Sequence, residues 1–191
     1  MAKSNARDQI FEAALKLFAE KGFNACGVQD ITAEAGVPKG SFYNHFESKE
    51  ALGAEIVQFY GERGNVRDVL ADRSIAPMER LRRYFLGLNE MMISRHHEQG
   101  CLLGNFSAEL SDQSPLIRTR LAAVYAKWTR IIAAAIADGQ ADGSIASDLD
   151  ASTLASFLLN AWEGATLRAR AERSRDAFDV FVDVTFRKIL I

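Results

Sequence analysis

The run Gly36-Val37-Pro38-Lys39-Gly40-Ser41-Phe42-Tyr43-Asn44-His45-Phe46-Glu47-Ser48-Lys49-Glu50-Ala51-Leu52 concentrates side chains whose types and spacing suit recognition chemistry. Phe42 and Phe46 stand four apart. At about 100° per residue they share one face of a short helix and must turn toward a core. Gly40, Ser41, Tyr43 and Asn44 then fall on the other face. Lys39 lies near the margin at the helix start, where recognition helices meet base edges. Lysine can donate to guanine O6 and N7, serine can bond either partner of a base pair, and glycine permits close approach. Tyr43, His45 and Lys49 suit phosphate oxygens, which set register without reading sequence. The N–H groups opening the flanking helices can add phosphate contacts.

Cysteine and histidine are the other reactive candidates. Cys26 and Cys101 are far apart without CxxC spacing, so neither a disulfide framework nor a zinc site is expected. His96 and His97 are adjacent and diverge on a helix by about 100°; they read as a solvated helix end, and no metal is expected. Cys101 precedes a helical segment. There its thiolate would face the positive end of the helix dipole, with His96, His97 or an arginine near. Such settings lower a thiol pKa from about 8.5 into roughly the 3.5–7.5 range and make oxidation or alkylation selective. The alternative is a small buried hydrophobe that only packs, which is also the reading for Cys26. No base–orienter partner for Cys101, phosphate loop or spaced carboxylate pair stands out. No catalytic residue, cofactor or enzymatic activity is expected.

These residues need helices to hold them. Residues 5–21 carry Ile10, Phe11, Ala14, Leu17 and Phe18 on one stripe, ended by Gly22 as a C-terminal cap. A short helix from Val28 to Ala35 follows, with Gly27 at its N-cap. Gly36-Val37-Pro38 makes a sharp turn, and a third helix runs from about Pro38 to Phe46. Ser48 is the N-cap of a fourth, through Leu52, Ile56 and Phe59. Two short helices and a glycine turn, braced by a longer first helix, form a helix-turn-helix pattern. Pro77 opens a helix with Leu81, Tyr84, Phe85, Leu88, Met91 and Met92; another spans Cys101 to Leu110; Ser114-Pro115 starts the longest, to Gly139. Two more cover about 150–170 and 175–190. About nine helices and no strands are expected, divided into residues 1–50 and 51–191.

Composition agrees with an all-α protein: the 191 residues include only three prolines, and 48% are hydrophobic against 25% charged, ordinary globular usage. Net charge is −2, and the first fifty residues carry six basic side chains against seven acidic ones. Any DNA contact must rest on where charges sit, not on their sum. No signal-peptide run or span of about 20 apolar residues occurs, so a cytoplasmic protein with free thiols and no membrane partner is expected.

The run over residues 36–52 resembles the TetR/AcrR regulator signature almost position by position, and the approach to it does so at Ala14, Leu17, Phe18, Gly22, Phe23 and Ile31. The resemblance covers residues 7–60. It implies a three-helix DNA-binding domain, a larger helical ligand-binding domain and a dimer formed mainly by the last two helices. Carried over by position, Gln29, Lys39, Gly40, Ser41 and Asn44 face bases, while Val28, Tyr43, His45 and Lys49 lie along the backbone. The chain departs from the pattern at Gly27, where a hydroxyl residue is frequent, and at Gln29, where arginine is common; both bear on the second helix's contacts. More weakly, residues 100–111 and 161–170 are similar to the N-ethylmaleimide- and electrophile-responsive (NemR-like) repressors. In these a cysteine at the Cys101 position is the reactive thiol and a basic residue near Arg170 is linked to its reactivity.

Phe85, Leu88, Met92, Phe106, Trp128 and Trp162, with Cys101 and Arg170, are the candidates for an effector pocket, or simply core. Leu158, Leu159, Trp162, Gly164, Phe178, Phe181 and Val182 suggest two helices apolar on more than one side, which pairing of two copies would cover. The expected function is a homodimeric repressor, released from palindromic operator DNA by a small molecule or by modification of Cys101. The alternatives are a binding protein of the same fold without operator binding and, remotely, a thiol-dependent enzyme.

Overall fold

Asn5 opens the first helix: its side chain accepts the Asp8 N–H at 3.0 Å, relieving one of the donors a helix start leaves unpaired. The computed structural model describes residues 5–62, 68–94 and 99–191. These form ten α-helices, α1 Ala6–Lys21, α2 Val28–Glu34, α3 Gly40–Tyr43, α4 Lys49–Glu62, α5 Asp68–Ala71, α6 Pro77–Ser94, α7 Leu102–Leu110, α8 Pro115–Asp142, α9 Ala151–Glu172 and α10 Asp176–Val184, with one π turn, Thr185–Ile189. No strand occurs among the described residues. The helices lie where periodicity places them, apart from a shortened α3 and the brief α5, which has no apolar repeat to announce it. The expected break at His96-His97 lies outside the described residues.

By packing, the chain gathers into two units, one of Met1–Glu62 with Leu102–Val124 and the other of Arg63–Cys101 with Tyr125–Ile191. The first unit thus recruits α7 and the start of α8 from beyond the sequence boundary expected at residue 50. Its core is built on Ile10, Leu17, Phe18, Ile31, Phe42 and Ile56, all buried. Phe106 of α7 is fully buried against it, its ring centroid 5.7 Å from Phe18 and 5.6 Å from Phe23. Gly22, at φ +86°, ends α1 in a conformation that disfavours side chains. A Cβ there would also lie 2.5 Å from a Glu109 oxygen, and that same carboxylate accepts the Asn24 N–H at 2.9 Å. Ser114 caps α8 through the Ile117 N–H at 3.1 Å and donates its own hydroxyl to Glu50.

In the second unit α6, α9 and α10 close over Tyr84, Phe85, Leu158, Trp162 and Phe178. Phe85 and Phe181 meet edge to face at 5.0 Å. The buried Trp162 indole donates to Asn89 Oδ1 at 2.9 Å, satisfying the one polar atom of a side chain otherwise suited to the interior. Arg80 is equally deep; it donates to the Leu70 carbonyl at 3.0 Å and pairs with Asp138 at 2.8 Å, fixing α5 and α8 to α6. Asp150 caps α9 through the Thr153 N–H at 2.9 Å.

The Phe106 position yields a first prediction. Phe106→Ala empties a fully buried site between two aromatic rings, so the protein loses about 3–5 kcal/mol of stability, read from urea unfolding followed by circular dichroism. A loss under about 1 kcal/mol would mean that the α7 contact does not hold the first unit together.

Candidate nucleic-acid interface and effector domain

The recognition segment is organised by its two phenylalanines. Phe42 and Phe46 are buried, with ring centroids 5.7 Å apart, and the Arg7 guanidinium lies 4.9 Å over the Phe46 ring. Regular α-helix covers only Gly40–Tyr43, shorter than the 38–46 expected. The flanks are held by tighter turns, with Ser41 N–H donating to the Pro38 carbonyl at 2.9 Å and His45 N–H to that of Phe42 at 3.0 Å. So short a helix cannot persist by its own backbone bonds; packing of the two rings holds it. Gly36, at φ +67°, makes the preceding turn.

With the rings inward, Lys39, Gly40, Tyr43, Asn44 and His45 are exposed and Ser41 is half-buried. Tyr43 keeps 60% of its surface open, unusual for a large aromatic ring without a partner to meet. On α2, Gln29 is exposed and Val28 half-buried. The backbone donor preceding α2 is already engaged, since Gly27 N–H donates to the Asp30 carboxylate at 2.7 Å. Gly27 N–H is therefore already paired within the chain.

Lys49 is more deeply committed to the fold than its sequence position suggests. Its ammonium donates to the Phe23 and Cys26 carbonyls at 3.0 and 2.8 Å and lies 4.1 Å from the Phe23 ring centroid. Burial pulls its pKa below the ordinary lysine value. One of its three N–H donors is left for a phosphate. Cys26 is a packing residue: it is buried, its thiol donates to the Leu17 carbonyl at 3.5 Å, and desolvation pushes its pKa up.

In the second unit Cys101 is 3% exposed and directly precedes α7. Its thiol hydrogen-bonds the Glu163 carboxyl of α9, and burial drives that acid up to about 7. The neighbour expected from sequence was a base; His96 and His97 lie outside the described residues, and Arg170 is half-buried on α9. Glu163 was given no role from sequence, although an acid beside Trp162 and close to Leu158 and Leu159 was a usable signal. Phe85, Met92, Trp128 and Trp162 are buried, and Leu88 is half-buried. Phe106 lies in the core of the first unit, against Phe18.

The residues expected at a dimer face divide by burial. Leu158, Leu159, Trp162, Phe178 and Phe181 are buried within one chain, so they build the protomer core. Gly164 is exposed and Val182 half-buried. The apolar surface left open on α9 and α10 is instead Phe157, Leu167, Val180 and Val184, exposed by 50, 68, 63 and 43%. A groove runs along it past Ala161 and Gly164. Of the residues expected at a dimer face, only Gly164 and Val182 keep accessible surface in the protomer.

Two family models match the chain: the one described as bacterial regulatory proteins of the tetR family over residues 10–56, and a tetracycline repressor-like C-terminal domain over residues 77–185. The transcriptional repressor DhaR of a Mycobacterium species is 43% identical across the whole chain and 95% of its own length. The chain belongs to the TetR family. It is a DNA-binding transcriptional regulator with the N-terminal helix-turn-helix and helical C-terminal domain of that family. The regulator AcuR of Cereibacter sphaeroides is 33% identical over 93% of this chain and 82% of its own. A crystal structure of a TetR regulatory protein from Rhodobacter sphaeroides superposes with a TM-score of 0.89 at 33% identity, covering 97% of this chain and 99% of that one. The repressor NemR of Escherichia coli is more distant, 24% identical over 89% of this chain and 86% of its own. The NemR-like subfamily suggested by residues 100–111 is therefore not established; DhaR and AcuR match at higher identity.

Among the described residues of this TetR-family chain, no helix is long and apolar enough to cross a membrane. The Lys49 clamp can be tested directly. Lys49→Met leaves two carbonyls without their charged donor and lowers stability by about 1.5–3 kcal/mol, measured by urea unfolding. An unchanged midpoint would reduce Lys49 to a surface charge.

Proposed function

We propose that this TetR-family regulator is a homodimeric repressor that holds palindromic operator DNA and releases it when its helical domain takes up a small molecule or when Cys101 is modified. The observation that carries the reading is the recognition segment itself. Two buried rings, Phe42 and Phe46, turn Lys39, Gly40, Ser41, Tyr43, Asn44 and His45 away from the core of a unit braced by α1, α2, α4 and α7. In this reading Lys39, Ser41, Asn44 and Gln29 read base edges, Gly40 permits close approach, and Tyr43, His45, Val28 and the remaining Lys49 donor position the backbone. The names of the relatives DhaR, a repressor, and AcuR, a transcriptional regulator, support the same class.

Two copies joined through Phe157, Val180 and Val184 would cover the apolar face of α9 and α10 and present two recognition segments about one DNA turn apart. The effector must bind the DNA-incompetent state more tightly, because only differential affinity moves the equilibrium. A route is available along the chain. Cys101 is joined directly to α7, and α7 contributes Phe106 and Glu109 to the DNA-binding unit. The reading involves neither turnover nor cofactor.

The test is fluorescence anisotropy on DNA from upstream of the protein's own gene, at several salt concentrations, with and without stoichiometric N-ethylmaleimide. Binding should weaken steeply with salt and be lost on treatment of the wild type but not of Cys101→Ser. Treated wild type that binds normally would send the effector search to a reversible ligand; no binding at any salt would overturn the repressor. On the same duplex, Lys39→Ala should lose about 1–3 kcal/mol of discrimination against an operator altered at its base pair. Full discrimination would remove Lys39 from base reading.

A further inference from the structure

Glu163 is an expensive residue to keep where it stands. Its carboxyl is largely withdrawn from water, and Oε1 is buried with no hydrogen-bond partner. Groups in that state cost stability unless something repays them. Its other interaction is with the Cys101 thiol, which donates to it. Burial raises its pKa and the hydrogen bond from the thiol lowers it, and no Arg, Lys, Asp or Glu among the described residues contributes to the shift. A structural acid would be expected to carry a cation or a full set of donors, as Asp138 does with Arg80. Here the acid has a nucleophile on one side and an unfilled oxygen on the other.

We propose that Glu163 is the proton acceptor through which Cys101 adds to an uncharged, unsaturated carbonyl compound. This deepens the thiol-sensor reading above and rests on it. In the step, the sulfur forms a bond to the β-carbon while the thiol proton passes to the Glu163 carboxylate. The C=C π bond breaks and its electron pair moves toward the carbonyl as an enolate. The newly formed carboxylic acid then returns the proton to the α-carbon. Sulfur and hydrogen are added across one double bond, so no oxidant or further reactant is needed. The requirement for an uncharged electrophile follows from the site: entry of an anion beside a buried carboxylate would place two like charges in a poorly solvated space. A carboxyl ionising near neutrality is also well matched to proton transfer at physiological pH. It gives the thiol a proton acceptor without requiring a standing thiolate.

The test uses the full-length protein in a Cys26→Ser background, with N-ethylmaleimide as probe and mass spectrometry to follow Cys101 between pH 5.5 and 8.5. The wild-type rate should climb with pH, flatten near pH 7 as Glu163 becomes ionised, and rise again as free thiolate appears. Glu163→Gln should lose the inflection, its rate rising smoothly with pH, and should react at least ten times more slowly at pH 7. Glu163→Asp should recover part of the rate. Folding of the Gln variant is checked by its melt. A carboxyl raised from about 4.5 to about 7 by folding costs the wild type stability progressively as pH rises through that interval, so Glu163→Gln should melt higher than wild type at pH 8. An unchanged rate and profile in Glu163→Gln, with the wild type still reactive, would overturn the relay alone. A folded wild type whose Cys101 is inert throughout would overturn the sensor reading and the relay together.

Discussion

Phe18, Phe23 and Phe106 meet as a cluster of rings with centroids 5.0–5.7 Å apart, and much of the molecule's logic follows from that contact. Edge-on aromatic packing of this kind is both a large apolar burial and a geometrically specific one. It commits α7, a helix from the middle of the chain, to the N-terminal DNA-binding unit. Because α7 is held there, Glu109 reaches the end of α1, Gly22 must remain without a side chain, and the Asn24 amide finds its acceptor. The residue just before α7 is Cys101, which is packed in the other unit.

The same economy governs the recognition segment. Four residues of regular helix cannot hold themselves together, and the exposed face has no internal bonds rich enough to order it. Two phenylalanine rings do so from the inside, and Lys49 secures the neighbouring loop from below by spending two of its three donors on backbone carbonyls. A rigid interior with an unencumbered polar exterior is what direct reading of base edges needs. It also explains how a head with no net positive charge can belong to a DNA-binding family. Lys39 and His45 stand exposed on that frame, while the acids Asp30 and Glu109 are turned to backbone donors.

Most of the elements were legible in the sequence because helix signals are local. Gly22, Gly36, Ser48, Ser114 and Pro115 mark starts and stops by their own conformational preferences, and the structure places helix boundaries beside each of them. The two rings at Phe42 and Phe46 were legible for the same reason, since a four-residue spacing fixes their common face. The signature they belong to also specified the family, which the relatives bear out.

What the sequence by itself determined, then, was an all-helical regulator with a helix-turn-helix in its N-terminal part. It could not determine which side of a doubly apolar helix is the inner one. Leu158 and Trp162 against Phe157 and Gly164 differ by about 100° of rotation per residue, and only packing against α6 and α10 decides between them. Nor could it show that Phe106 sides with residues some eighty positions earlier, or that the partner of Cys101 is an acid sixty-two residues away. Contacts of that kind carry no local preference. They exist because the tertiary structure leaves those side chains nowhere else to bury their surface or place their protons.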